Sequence, residues 1–244
     1  MKEVLRPENF CVSYTGERES LDVVKTQAAG IKKVLFNGQK PEPVKQAPCI
    51  KKNEAFKTSG QVQYVAQNGN FRKKGLEYTG ALEILKVILS YDYLWINLRV
   101  KGGAYGCMSG FKRNGESFLV SYRDPHLKRT LEVYQGVPDY IRAFEADERE
   151  MTKYIIGTIS NKDVPRTPQM QGSISKTAYF SKVTEDMLQK ERNQILGAQK
   201  EDIQKLAALV EAVLSDDQIC VVGSETAIEN AEDVFMEVKP LIGC

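Results

Sequence analysis

The chain has 244 residues, of which 42% are hydrophobic and 27% are charged, and its formal net charge is +2. This composition is typical of a globular protein that is long enough to bury a sizeable core without disulfide or metal crosslinks. The basic residues are scattered and do not form the stripe or patch that a nucleic-acid surface needs. The chain contains no apolar run of 18 residues, so the sequence predicts no membrane-spanning helix.

Residues 1–58 are predicted to contain a strand, a helix and a linker. The stretch NFCVSY at 9–14 predicts a short strand, and the spacing of Leu21, Val24, Ala28 and Ile31 predicts a helix within residues 17–36. Three prolines and an Asn-Gly pair follow, which is linker composition. The sequence therefore predicts a strand–helix segment over 1–37 and a linker over 38–58.

Residues 59–126 are predicted to form a strand, a long helix and a hairpin. Alternation at 62–66 predicts a strand that either pairs inside a sheet or accepts an extended peptide at its edge. A heavily apolar helix over about 82–98 follows. Strands near 104–112 and 117–123 flank Asn114-Gly115, which favours a tight hairpin turn.

The remaining residues are mostly helical in pattern. Helices are predicted at 127–144, with a bend at Gly136 or Pro138, and at 147–160, 174–181, 184–196 and 201–214. Residues 217–242 again predict a strand, a turn and a helix, a short similarity to residues 1–37 that suggests a fragment of a longer repeat protein. This order predicts an α+β fold, in which helices cover one face of a mostly antiparallel sheet.

Cysteine and histidine usage limits the chemistry of the chain. The five cysteines form no C-x-x-C pair, which favours a reducing compartment. His126 is the only histidine, and one isolated histidine cannot complete a zinc site, which needs several ligands. We therefore expect no metal site in this chain and interpret His126 as a strand-exit residue.

The sequence LRVKGGAYGC at 98–107 joins the long helix to the hairpin. Gly102 is predicted to close the helix at positive φ, and Gly103 to turn the chain into the strand. Arg99 and Tyr105 flank these glycines. They are either an ordinary helix-end arginine and strand tyrosine, or two donors to a peptide carbonyl or an oxyanion. The glycine pattern matches neither common phosphate-binding motif.

The segments LWINLRVKGGAYG, GFKRNGESFLVSYRDPH and DVPRTP resemble the C-terminal part of presequence-protease-like zinc peptidases of the insulinase/pitrilysin family. The resemblance implies a domain like that of the mitochondrial processing peptidase. It also implies a parent with four related α+β domains in two halves around a peptide chamber. Residues 1–37 would then end the third domain, 38–58 would be the linker, and 59–244 would form the fourth.

The resemblance also implies the site. The first domain of such enzymes binds zinc through an H-x-x-E-H motif, and the last supplies an arginine and a tyrosine. Those catalytic residues correspond to Arg99 and Tyr105, with Gly102 and Gly103 shaping the substrate loop. The parent would be a zinc metalloendopeptidase that degrades unstructured peptides. This chain has no H-x-x-E-H, so we expect it to bind no zinc and to cleave nothing alone.

The expected partners are peptide substrates and a missing N-terminal catalytic half, with self-association possible through uncovered apolar surface. Neither nucleic acid nor a membrane is expected as a partner. One alternative is a standalone peptide-binding protein or a non-catalytic subunit of a separate peptidase chain. Another is an assembly domain in which Arg99 only caps a helix. Thiol usage fits the cytoplasm, with an organelle matrix as the alternative.

Overall fold

The computed structural model describes residues 4–40, 42, 48 and 50–241. The chain divides into two compact units. The smaller unit comprises Met1–Cys49 and Val164–Leu188, and the larger unit comprises Ile50–Asp163 and Gln189–Cys244. Cys49 and Cys244, together with residues 41 and 43–47 of the predicted linker, lie outside the described residues.

The α-helices, in chain order, are α1 (Leu21–Val34), α2 (Ala81–Ile88), α3 (Lys128–Gln135), α4 (Val137–Arg142), α5 (Glu148–Lys162), α6 (Pro168–Ser181), α7 (Glu185–Leu196), α8 (Lys200–Gln204), α9 (Ala207–Leu214) and α10 (Glu225–Glu229). The strands are β1 (Glu54–Thr58), β2 (Gln63–Asn70), β3 (Gly106–Phe111), β4 (Glu116–Asp124), β5 (Gln218–Ser224) and β6 (Glu237–Pro240).

The smaller unit contains α1 and α6, and neither helix has a buried residue. The buried guanidinium of Arg6 fixes the end of the segment after α1 by donating to the carbonyl oxygens of Gly38 at 2.8 Å and Gln39 at 3.2 Å. The predicted helix is confirmed as α1. The predicted strand at 9–14 is wrong, because these residues join no β-ladder among the described residues.

The larger unit is built on one six-stranded sheet in the order β3-β4-β2-β5-β1-β6. Neighbouring strands are antiparallel from β3 to β5, whereas β1 runs parallel to both β5 and β6. The predicted α+β fold with a mostly antiparallel sheet is therefore confirmed. Because β2 pairs with β4 on one side and β5 on the other, the idea that its edge accepts a peptide is wrong.

One sheet face is covered by helices and the other is open. In β2, Val65 and Gln67 are buried while Tyr64 and Asn68 are exposed, which is the alternation of a half-buried strand. Leu85, Ile88 and Tyr134 from α2 and α3 belong to the core, and burying each such side chain stabilises the fold by about 1.5–3 kcal/mol. The open face of the sheet is the side that carries Tyr64.

Three elements differ from the sequence-based expectation. Strand β1 lies inside the predicted 38–58 linker, so the sheet begins before residue 59. The helix expected after β5 ends at Glu229, and the chain returns as β6 beside β1. The helix expected over 201–214 divides into α8 and α9. The bend expected within 127–144 is confirmed, because that helix divides at Gly136 into α3 and α4.

The long apolar helix continues past α2 with π-helical geometry, first over Leu89–Tyr93 and then over Trp95–Val100. Such wide turns are rare and occur frequently at functional sites. The second of these segments carries Trp95 and Arg99 and ends at the glycine pair. The unusual helix geometry therefore lies next to the candidate site.

Candidate functional site

The glycine pair closes the π-helical segment through its backbone. Gly103 has a φ of 77°, and its amide donates to the Arg99 carbonyl at 2.9 Å. The next amide, from Ala104, donates to the Leu98 carbonyl at 2.9 Å. The prediction that Gly102 takes the positive φ is wrong. Gly102 is required for a different reason, since a β-carbon there would lie 2.4 Å from the Leu98 carbonyl oxygen.

Arg99 is exposed and held by its neighbours at this corner. Its guanidinium carbon lies 4.3 Å from the centre of the Trp95 ring, and its Nη1 donates to the Tyr105 carbonyl oxygen at 2.8 Å. The same carbon lies 5.7 Å from the centre of the Tyr105 ring. Among the described residues, no carboxylate forms an ion pair with Arg99, so its charge is available to an outside group.

Tyr105 stands where β3 begins, and 56% of its surface is exposed. Its ring packs against that of Tyr122 with centres 5.6 Å apart. Gly106 makes room for this packing, since a β-carbon there would lie 2.5 Å from Tyr122 ring atoms. Within the described part of the chain, the Tyr105 hydroxyl has no hydrogen-bond partner. The corner thus presents one free phenol beside one arginine.

A second arginine, Arg123, completes this cluster and was missed by the sequence interpretation. Its guanidinium carbon lies 5.2 Å from the centre of the Tyr105 ring, and its carbonyl accepts the Tyr105 amide at 3.2 Å. Its φ of 49° is unusual for a residue other than glycine. The available signal was the break in strand alternation before Pro125.

The polar groups beside the cluster have structural partners. Asp124 is buried, accepting the Thr130 hydroxyl at 2.7 Å and the His126 amide at 2.9 Å. Burial raises the pKa of the Cys107 thiol to about 11, although the charge of Arg99 opposes this shift. Cys107 is therefore a neutral thiol at physiological pH and not a ready nucleophile.

The described residues hold no group of three or more histidine, cysteine, aspartate or glutamate side chains placed to bind a metal ion. Across the same residues, no helix is both long and apolar enough to cross a bilayer. What the cluster offers is a set of donors, namely one phenol and two guanidinium groups. Such a set can bind a carbonyl or an anion and can stabilise negative charge.

The family follows from comparison with known proteins. A family model described as the PreP C-terminal domain matches residues 53–225, from just before β1 to the start of α10. The chain belongs to the PreP C-terminal domain family. This match covers the whole cluster and every strand except β6.

Relatives of known sequence are much longer than this PreP-family chain. It is 43% identical to protein HypA of Clostridium perfringens over 234 residues, which is 96% of this chain and 24% of HypA. It is 34% identical to presequence protease 1, chloroplastic/mitochondrial, of Arabidopsis thaliana over 198 residues, which is 77% of this chain and 18% of that protein. The chain therefore spans about a quarter or less of these relatives.

Solved structures support the fold. A peptidase M16 inactive domain from Pseudomonas fluorescens matches with a TM-score of 0.55 at 17% identity. The match covers 92% of this chain and 52% of the Pseudomonas chain. Pitrilysin matches with a TM-score of 0.53 at 18% identity, and the match covers 81% of this chain and 22% of the pitrilysin chain. At 17–18% identity, these structures show a shared fold, and the family shown for the chain is the PreP C-terminal domain family.

Proposed function

We propose that this chain supplies substrate- and oxyanion-contacting groups to a zinc metalloendopeptidase whose zinc-binding half lies elsewhere. The observation that carries the proposal is that the exposed Tyr105 side chain lies beside the Arg99 guanidinium. Among the described residues, the hydroxyl has no hydrogen-bond partner and the guanidinium has no ion pair. The pairing suits a peptide that is bound beside this corner.

Each residue of the corner has a specific role in this proposal. Tyr105 donates its hydroxyl to the oxygen that becomes negative as the peptide carbonyl is attacked. Arg99 holds the Tyr105 backbone through its 2.8 Å hydrogen bond and directs its remaining donors at the substrate backbone. Gly102 and Gly103 shape the loop between them. Zinc, bound by the other half, supplies Lewis acidity and an activated water.

The partners in this proposal are unstructured peptides and the zinc-binding half, which is joined in the same polypeptide or supplied as a separate subunit. Arabidopsis presequence protease 1 is named as chloroplastic/mitochondrial. For the present chain, we propose the cytoplasm, with an organelle matrix as the alternative.

The test compares three preparations: this chain, the zinc-binding half, and the two joined as one polypeptide. Zinc content is measured by elemental analysis, and peptidase activity by cleavage of a quenched fluorescent peptide. We expect this chain to contain no stoichiometric zinc and to cleave nothing. The joined protein should contain zinc and cleave the peptide. Activity on mixing the two separate halves would favour the two-subunit arrangement.

Two results would contradict the proposal. Cleavage by the isolated chain would place a complete active site within it. Full activity of the zinc-binding half alone would make the Arg99–Tyr105 corner dispensable. An Arg99→Ala variant provides the link to the site, because it should lower activity in the joined protein while its zinc content stays at the parent value.

A further inference from the structure

We infer that Arg123 is a positioning residue that holds the phenol of Tyr105 in the orientation needed for catalysis. This inference rests on the proposed function of Tyr105 and adds a third member to the site. Strand β4 contains one residue more than the opposite strand β2 at this point of their pairing.

The pairing of β4 with β2 shows where the extra residue lies. Val65 pairs with Ser121, and Gln63 pairs with Asp124, with a register shift between them. Tyr64 alone is thus opposite both Tyr122 and Arg123, which is the arrangement of a β-bulge. Bulges redirect side chains and are common next to active sites.

The two residues that flank the bulge explain why Arg123 is turned outward. Ser121 and Asp124 are both buried on the helix-covered face, and Asp124 is fixed there by its bonds to Thr130 and His126. An even alternation cannot bury both positions with two residues between them. The left-handed backbone of Arg123, at φ 49°, absorbs the difference and leaves its side chain exposed.

Stability alone does not account for this arrangement. Glycine takes a left-handed backbone with less strain than arginine does. The Arg123 guanidinium forms neither a hydrogen bond nor an ion pair with any described residue, and its contact is with the ring of Tyr105 at 5.2 Å. Arg99, a like charge, lies 5.7 Å from the same ring centre. Residues held in strained backbone conformations of this kind cluster at functional sites.

The consequence is that three side chains lie against the Tyr105 ring. Arg99 and Arg123 contact it as cations, and Tyr122 packs against it at 5.6 Å. The Tyr105 backbone is bonded to both arginines, as its amide donates to Arg123 and its carbonyl accepts from Arg99. Removing the Arg123 side chain frees one side of the ring, so the hydroxyl samples unproductive positions.

The test measures kcat and KM in the polypeptide that joins this chain to its zinc-binding half. Arg123→Met keeps an unbranched apolar stem and removes the guanidinium with its charge. We expect kcat to fall about tenfold, because a misplacement of about 1 Å can lower a rate by up to about 100-fold, while KM stays at the parent value. Arg123→Lys, which retains a cation over the ring, should recover much of kcat. Lys128→Met is the control, since Lys128 is an exposed cation paired with Asp233.

A double-mutant cycle with Tyr105→Phe distinguishes positioning from direct substrate binding. If Arg123 acts through the hydroxyl, Arg123→Met should produce no further loss of kcat once that hydroxyl is gone. Additive losses, or a rise in KM that depends on acidic residues in the peptide, would overturn the inference and make Arg123 a substrate ligand. If Tyr105→Phe itself is fully active, the proposed function fails instead.

A third variant, Arg123→Gly, separates the backbone from the side chain. In the 244-residue chain it should raise the unfolding midpoint by about 2–4 °C by relieving the left-handed strain, and it should lower kcat as Arg123→Met does. A lower midpoint would show that the arginine serves the fold, and an unchanged kcat would show that it does not position Tyr105. Either result would overturn the inference.

Discussion

Replacing Tyr105 with phenylalanine removes a single oxygen from the site and leaves the ring in place. The ring is held by Arg99, Arg123 and Tyr122, and none of these contacts uses the hydroxyl. No described residue forms a hydrogen bond with that hydroxyl, so its loss leaves no buried group unpaired. We therefore expect the free energy of unfolding to change by less than about 0.5 kcal/mol, as for an ordinary surface substitution.

The effect on catalysis should be large by comparison. Removing one donor to an oxyanion typically lowers kcat by about 100- to 1,000-fold, or about 2.7–4 kcal/mol of transition-state stabilisation. The assay is steady-state cleavage of a fluorescent peptide by the joined polypeptide, with zinc content and thermal unfolding measured on the same samples. Parent-level kcat in Tyr105→Phe would refute the reasoning. A loss of kcat that accompanies lost zinc or lost stability would refute it as well.

Three further predictions concern the fold and its surface. Gly103→Ala should destabilise the chain by about 1–2 kcal/mol in chemical denaturation, because φ at this position is 77°. Gly157→Ala, in the open middle of α5, should instead stabilise it by about 0.5–1 kcal/mol. A change of the same sign in both variants would contradict the backbone argument. Because burial raises the Cys107 pKa from 9.0 to about 11, the unfolded thiol loses its proton first, and stability should fall as pH rises across that interval. Cys107→Ala should have a smaller fall than the parent over the same pH range, and equal slopes would count against a buried thiol. Exposed apolar residues of α1 and α6, including Ile31, Tyr179 and Phe180, should cause concentration-dependent self-association in sedimentation experiments, weakened by Phe180→Ser; a monomer at every concentration would rule this out.

The elements that the sequence predicted well are those whose signals are local. The Asn114-Gly115 pair predicts the β3–β4 hairpin because the turn needs a positive φ, and Gly115 has a φ of 90°. The bend between α3 and α4 likewise follows from Gly136 and Pro138. In each case the backbone preferences of one or two residues decide the structure.

The elements that the sequence missed depend on distant partners. The residues that precede strand β1 have the composition of a linker, but β1 itself pairs with β5 and β6, which lie more than 150 residues later. The segment at 9–14 has a strand-like pattern and joins no ladder among the described residues, so its local propensity has no hydrogen-bonding partner to support it. The sequence pattern of residues 237–240 resembles the end of a helix, but in the structure these residues form β6 because they pair with β1.

The candidate site was partly accessible from sequence. Arg99 and Tyr105 were singled out through the glycine-rich corner and the family resemblance. Arg123 was not, because its importance depends on a bulge that forms only when Ser121 and Asp124 are both buried. The role of Gly102 was also misjudged, since the π-helical turn moves the left-handed position one residue along to Gly103.

The central claim is tested most directly by a structure of the joined polypeptide with a bound peptide and an inactivated zinc-binding half. The quantity to measure is the distance from the Tyr105 hydroxyl oxygen to the oxygen of the scissile carbonyl. We predict a hydrogen-bonding distance of about 2.5–3.0 Å between these two oxygens. A peptide bound with its scissile carbonyl far from Tyr105, and with another group donating to that oxygen, would contradict the account.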